Sequence, residues 1–170
     1  MVDLADILNA KILIVDDLDA NVVLLRRMLG GAGYTSVAST TNPVEVCELH
    51  RKHRYDLILL DILMPDMDGF QVMECLGKIE SDGYLPVIVI TAYTEHKARA
   101  LQAGAKHFIN TPFEIAEVLA RVHNMLEVRV LNNEVQHYDD VLEQRILEKT
   151  AKLVHASKPL RKRTALSGGI

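Results

Sequence analysis

The chain lacks most of what would mark it as secreted, fibrous or membrane-spanning. Tryptophan is absent, and only two cysteines occur in 170 residues, far below the density of a small disulfide scaffold. Five prolines and nine glycines are too few for collagen or for a low-complexity linker. No apolar run approaches the about 18 residues that a membrane span needs. The first ten residues carry Asp3 and Asp6 but neither Lys nor Arg, the wrong charge for a secretory signal, so a cytoplasmic setting is expected. Positive charge is not in excess either. With 19 Lys and Arg against 23 Asp and Glu the net charge is −4, which provides no general field for polyanions, and nucleic acid is not an expected partner. Cys47 and Cys75 lie in amphipathic stretches without metal-ligand spacing. They are expected as buried thiols of a reducing compartment, not as a bridge.

What is present is a globular composition, 49% apolar and 25% charged, long enough for one ordinary domain and an appendage. Apolar runs alternate with stretches of helical period. The runs are Lys11-Ile-Leu-Ile-Val15, a weaker Ser36-Val-Ala38, Leu57-Ile-Leu-Leu60, Pro86-Val-Ile-Val-Ile90 and His107-Phe-Ile109. Short and rich in Ile and Val, they read as strands buried on both faces of a parallel sheet. Helical stripes stand between them: Val22, Leu25, Met28 and Leu29; Val44, Cys47, Leu49 and His50; Phe70, Met73 and Leu76; and, less clearly, Ala98, Leu101 and Gln102. Gly33 and Gly104 stand where helices should stop. Five strands, each followed by a helix, predict a doubly wound α/β fold. Its functional crevice lies beyond the carboxyl ends of the strands.

The residues just past those ends form a non-random set. Strand one ends in Asp16-Asp17, strand three in Asp61, strand four in Thr91-Ala92 and strand five in Asn110-Thr111-Pro112. Three carboxylates converging on one rim cannot all ionise unaided, so either a pKa rises or a cation is held. With oxygen ligands alone, a hard divalent ion, Mg²⁺ for preference, is expected. A carboxylate beside it can attack a phosphoryl group and form an acyl phosphate, and Thr91 offers a hydroxyl to a phosphoryl oxygen.

Four strings carry a specific resemblance: Ile14-Val-Asp-Asp17, Leu60-Asp-Ile-Leu-Met-Pro-Asp-Met-Asp-Gly69, Val89-Ile-Thr-Ala92 and Gly104-Ala-Lys-His-Phe-Ile-Asn-Thr-Pro-Phe113. In this order they are similar to the receiver domain of two-component response regulators, over roughly residues 10–128. The resemblance implies a flavodoxin-like five-stranded parallel sheet of order 2-1-3-4-5. It implies Asp61 as phosphoacceptor from a sensor histidine kinase or histidine phosphotransfer protein. Mg²⁺ would be held by Asp16, Asp17, Asp61 and the main-chain carbonyl of Leu63, and Thr91 would be the switch hydroxyl. Such a domain signals and does not turn over an external substrate; its activity is limited to self-phosphotransfer and autodephosphorylation. An aspartyl phosphatase on a similar sheet would place a second Asp two residues beyond the nucleophile, where this chain has Leu63.

Two positions depart from the pattern. Thr111 replaces the family's lysine, supplying a hydrogen bond but no charge. Lys106, five residues earlier, would lie about 16 Å away toward the other strand end. Either Mg²⁺ alone suffices for phosphotransfer, or the domain is a phosphorylation-independent pseudo-receiver acting as a dimeric interaction module. Retention of Asp16, Asp17, Asp61 and Thr91 favours the first. Phe108 occupies the switch aromatic position without a phenolic hydroxyl; it either switches by ring burial or is a fixed core residue. A cis bond at Thr111-Pro112 is compatible with proline alone. Asp66-Met-Asp-Gly69 hints at a calcium loop, but Met64 and Cys75 would hold its first and last ligand positions, so that reading fails. The seven histidines are scattered and are expected to be solvated.

The last helical pattern, Ile115, Val118, Leu119, Val122 and Leu126, should pack on the sheet. It continues through Val128, Leu131, Val135, Tyr138 and Leu142 as a heptad seam, then shifts phase to Ile146, Thr150 and Leu153. A helix from Glu114 to about His155 would be about 63 Å long. Its stripe beyond the domain needs a partner, and a parallel coiled coil with a second copy is the simplest. Dimerisation is expected through helix four, strand five, helix five and this C-terminal helix. Pro159 should end the helix. The expected organisation is a receiver domain at 10–128, a coiled-coil extension at 129–156 and a disordered basic tail at 157–170. Fewer than about 50 residues follow the receiver, too few for an output domain. A stand-alone receiver, or a chain ending within a helical connector, is expected.

Overall fold

A computed structural model describes residues 2–80 and 85–168, with side chains described as far as Val154. Five parallel strands, β1 (Lys11–Val15), β2 (Ser36–Thr40), β3 (Leu57–Leu60), β4 (Val87–Thr91) and β5 (His107–Asn110), form one sheet of order β2-β1-β3-β4-β5. The helices are α1 (Leu4–Leu8), α2 (Asp19–Gly31), α3 (Val46–His53), α4 (Gly69–Ile79), α5 (Lys97–Gln102) and α6 (Ile115–Gly168). This is the doubly wound sheet with a long C-terminal helix that the alternation predicts.

Period-two alternation sorts the strand side chains to two faces. Leu13, Val15, Ile58, Leu60, Val89 and Phe108 pack with Val46, Val72, Met73 and Leu76 of α3 and α4. Ile12, Ile14, Leu59, Ile88 and Ile109 face the other way, onto Leu25 and Leu29 of α2 and Val118, Val122 and Leu126 of α6. Each fully buried Leu, Ile or Val contributes about 1.5–3 kcal/mol, so the strands that carry the site are firmly held. Arg129 adds an ion pair, its Nε lying 3.6 Å from Oδ1 of Asp56. Oδ2 of Asp56 accepts the backbone N–H of Lys11 at 2.9 Å.

Several boundaries and environments differ from expectation. β4 starts at Val87, not Pro86, which has no N–H to offer a ladder. β2 and β5 run on to Thr40 and Asn110. Val44 is exposed because it sits in a 3₁₀ turn (Pro43–Glu45) ahead of α3, and Val46 takes the core position. Ile115 is exposed as the first residue of α6, and Leu101 is exposed because the short α5 buries only Ala100.

The histidines are not all solvated: His50 is wholly buried. Its Nδ1 accepts the Tyr55 backbone N–H at 3.1 Å, so its proton sits on Nε2, 2.6 Å from Oε1 of Glu80. With both ring nitrogens partnered, burial of the neutral ring costs little. Burial lowers its pKa, against the raising influence of Glu80. The cysteines are also corrected. Cys47 of α3 and Cys75 of α4 are joined as a disulfide, with Cα atoms 6.4 Å apart. Consecutive crossover helices on one face meet there, which a separation of 28 residues in sequence conceals.

The chain divides into two compact units, Met1–Asn132 and Asn133–Ile170. In the second, α6 continues through Pro159 to Gly168, so the helix does not stop at Pro159 and the backbone at 157–168 of the expected disordered tail is helical; 169–170 lie outside the described residues. An interior proline forfeits one i→i−4 bond at about 3 kcal/mol, and the Leu, Arg, Lys and Ala that follow it are strong helix formers. Among the described residues no helix is long and apolar enough to cross a membrane.

Candidate functional site: an acidic cleft at the strand ends

The sheet register builds the site. Val15 of β1 pairs with Leu60 of β3, and the Asp61 N–H donates to the Val15 carbonyl at 2.9 Å. Asp16 and Asp61, the next residues along these neighbouring parallel strands, therefore leave the sheet side by side. Carboxylate oxygens of Asp16, Asp17 and Asp61 lie within 4.8 Å of one another. They line a cleft of about 290 Å³ whose walls include Leu63, Thr91 and Thr111, together with Asn21, Tyr93 and Phe113. Six positions singled out in the sequence thus share one cleft. Phe108 does not line it; the ring is buried in the opposite apolar layer beside α4 and α5. Lys106 borders a separate depression with Glu80 and Leu85 near the start of β4, so it does not occupy the place of the missing lysine.

Local structure explains why each group is where it is. Asp16 accepts the Leu18 N–H on Oδ1 at 2.9 Å and the Asn21 amide on Oδ2 at 3.0 Å, which ties it to the first turn of α2. Asn21 is a site residue that sequence reading missed; its position in the first helical turn after Asp16-Asp17 was the available signal. Asp68 explains the supposed calcium loop. It caps α4, accepting the Gln71 N–H at 2.9 Å while the Gln71 side chain accepts the Asp68 N–H at 2.9 Å, a reciprocal capping box. The Gly69 N–H then donates to the Ile62 carbonyl at 2.8 Å. The backbone here is so close that a Cβ at Gly69 would stand 2.7 Å from the Asp61 carbonyl oxygen. Thr91, almost fully buried, accepts the Tyr93 N–H at 3.4 Å, and the Thr111 N–H donates to the Thr91 carbonyl at 3.0 Å. The Thr111-Pro112 bond is cis.

The electrostatics follow from this crowding. Burial first, then the Asp16 charge and more weakly that of Asp17, push the Asp61 carboxyl up to about 7, against N–H bonds from Ile62 and Leu63. Burial also raises Asp16, with Asp17 adding to it and the Leu18 and Asn21 donors opposing. The donor set is all oxygen, with no His or Cys in it, and it crowds three carboxylates together. Those are the properties of a site for a hard divalent cation.

A doubly wound sheet with a carboxylate trio at the ends of β1 and β3 is the arrangement that the resemblance implies for a signalling domain of the two-component type. The family model for the response regulator receiver domain matches residues 12–123, and the chain belongs to that family. It is 32% identical over 131 residues to the response regulator PleD of Caulobacter vibrioides, covering 76% of this chain and 29% of PleD. It is 31% identical over 118 residues to the polar-differentiation response regulator DivK of Brucella anthropi, covering 68% of this chain and 95% of DivK. Among solved structures it resembles the receiver domain of sensor histidine kinase PA1611 from Pseudomonas aeruginosa, with a TM-score of 0.64 and 26% identity over 70% of this chain and 98% of that one. That structure holds a magnesium ion coordinated in its active-site cleft. Residues 12–123 are thus a response regulator receiver domain, a signalling domain of two-component phosphorelays.

Proposed function

We propose that Asp61 accepts a phosphoryl group from a sensor histidine kinase or histidine phosphotransfer protein in the cytoplasm. The observation that carries this is the convergence of Asp16, Asp17 and Asp61 within 4.8 Å in a cleft shared with Thr91. An Asp61 oxygen attacks phosphorus, the bond from phosphorus to the donor's imidazole nitrogen breaks, and the imidazole leaves. Asp16 and Asp17, with Asp61 and the Leu63 carbonyl, would hold Mg²⁺. When bound, the ion offsets the negative charge of the carboxylates and the phosphoryl oxygens. Asn21 and the Leu18 N–H orient Asp16, and Thr91 presents its hydroxyl to a phosphoryl oxygen. The activity beyond acceptance is self-phosphotransfer and autodephosphorylation.

The output in this reading is altered dimerisation or partner docking. Leu131, Val135, Tyr138, Leu142, Ile146, Thr150 and Leu153 are exposed along α6 with spacings of three and four broken by one shift of phase. A second copy would cover them as a parallel coiled coil, joined by the face of α5, β5 and the start of α6. We assign 10–128 to the receiver and 129–156 to this extension.

A second reading rests on Thr111, which lines the cleft where the family has lysine, with Lys106 elsewhere: a pseudo-receiver recognised in its unmodified form. Acetyl phosphate or beryllofluoride with Mg²⁺, read by intact mass and dimer fraction, separates the two. One added phosphoryl, lost in Asp61→Asn, supports the relay; no modification at millimolar donor and Mg²⁺ supports the pseudo-receiver.

A further inference from the structure

We propose that Cys47 and Cys75 are a reversible thiol–disulfide pair through which low-molecular-weight disulfides such as oxidised glutathione stiffen the loop that carries Asp61. The two Cα atoms are 6.4 Å apart, inside the range of about 4.4–6.8 Å that a disulfide accepts, so the backbone geometry accommodates the crosslink. The fold does not depend on the bond. Two apolar layers already enclose the sheet, whereas obligatory disulfides belong to domains too small to build such a core. The reduced protein is therefore a folded dithiol.

The two sulfurs differ in access. Cys47 is buried at 7% exposure, while Cys75 is only partly buried. An incoming disulfide meets Cys75 first. The Cys75 thiolate attacks one sulfur of the reagent, whose S–S bond breaks and releases one thiol. Cys47 then attacks the mixed disulfide and releases the second. The protein thiols lose two electrons and two protons in all, and the reagent gains both. No third His, Cys, Asp or Glu joins the pair in a metal-holding group among the described residues, which sets a metal site aside.

The consequence lies in what the crosslink encloses. The 28-residue separation contains all of β3, Asp61, Leu63 and the Asp68–Gly69 turn. At its N-terminus α4 is already fastened to the Asp61 backbone, through the 2.8 Å bond from the Gly69 N–H to the Ile62 carbonyl and a contact that leaves no room for a Cβ. Tying the middle of α4 to α3 removes the freedom of α4 to lift, and with it the freedom of the loop between Asp61 and Gly69.

The test uses the full chain in glutathione buffers from fully reduced to fully oxidised, quenched by alkylation and read by intact mass, with hydrogen exchange on the two end states. Two alkylatable thiols should fall to none without a retained glutathione, whereas Cys47→Ala should retain one glutathione at Cys75. Oxidation should slow exchange in peptides covering residues 61–76 by about tenfold and leave β5 unchanged. Cys75→Ser, at the more accessible position, should abolish both responses. A pair that stays alkylatable in oxidised glutathione overturns the proposal, as does an oxidised protein whose 61–76 segment exchanges at the reduced rate. Neither readout requires phosphoryl donor or Mg²⁺, so these outcomes are independent of the phosphorelay reading.

Discussion

Gly69 and Gly77 lie in the same helix, and replacing each by alanine should change stability in opposite directions. A Cβ at Gly69 would stand 2.7 Å from the Asp61 carbonyl oxygen and 2.8 Å from the Ile62 Cα. Both are backbone atoms of the buried strand end, so neither can rotate away as a side chain would. Reaching ordinary contact needs a separation of roughly 0.7 Å more. Overpacking of this kind costs about 1–3 kcal/mol. Gly69 is not at positive φ, so alanine is not strained by conformation there and recovers up to about 1 kcal/mol of helix propensity. The net loss is about 1–2 kcal/mol, a fall in Tm of roughly 2–8 °C for a chain of this size. Nothing lies within 4 Å of a Cβ at Gly77, so Gly77→Ala should gain about 0.5–1 kcal/mol. Because the clash falls on Asp61 itself, Gly69→Ala should also weaken Mg²⁺ binding by about tenfold, while Gly77→Ala leaves it unchanged. Thermal unfolding and Mg²⁺ titration of both variants under one redox condition decide the matter. A Gly69→Ala protein as stable as the parent, or a Gly77→Ala protein that loses stability, would refute the packing argument.

Three other outcomes follow from the site and the tail. Burial and the Asp16 and Asp17 charges hold Asp61 at about 7 in the folded chain against 3.8 ordinarily. The metal-free fold therefore keeps a proton that the unfolded chain has lost, and its stability declines as pH rises from about 4 to about 7. Asp61→Asn should remove that decline, so its advantage over the parent in denaturant titrations with EDTA should grow across the window; a constant difference would contradict the assignment. Thr111→Lys places a cation in the cleft and should bring Asp61 back down, flatten the same decline and lengthen the acyl-phosphate lifetime. No change in any of these would count against the charge argument. A chain ending at Asn132, the boundary between the two compact units, should keep its fold and self-associate more weakly by sedimentation velocity, and undiminished dimerisation would remove the coiled coil.

Reading the sequence succeeded where one interaction dominates. Lys11–Val15 and Leu57–Leu60 were found to the residue because strands buried on both faces admit only aliphatic side chains. The three aspartates were placed at one rim because parallel strands all deliver their carboxyl ends to the same edge. The sequence is not legible where tertiary partners decide. His50 falls on the apolar stripe of its helix, yet a histidine reads as solvated until Glu80, thirty positions on, and the Tyr55 N–H supply its hydrogen bonds. The contact between Cys47 and Cys75 requires knowing that α3 and α4 share a face. Val44 was misplaced by a change of helical pitch that the apolar pattern does not record. The demand for glycine at position 69 comes from a backbone approach visible only in three dimensions.

The most direct test of Asp61 as phosphoacceptor is the intact mass of the protein after incubation with acetyl phosphate, with and without Mg²⁺, beside Asp61→Asn. A single phosphoryl adduct that requires Mg²⁺ and is absent from the variant is expected. An unmodified parent, or an adduct that survives in Asp61→Asn, would contradict it.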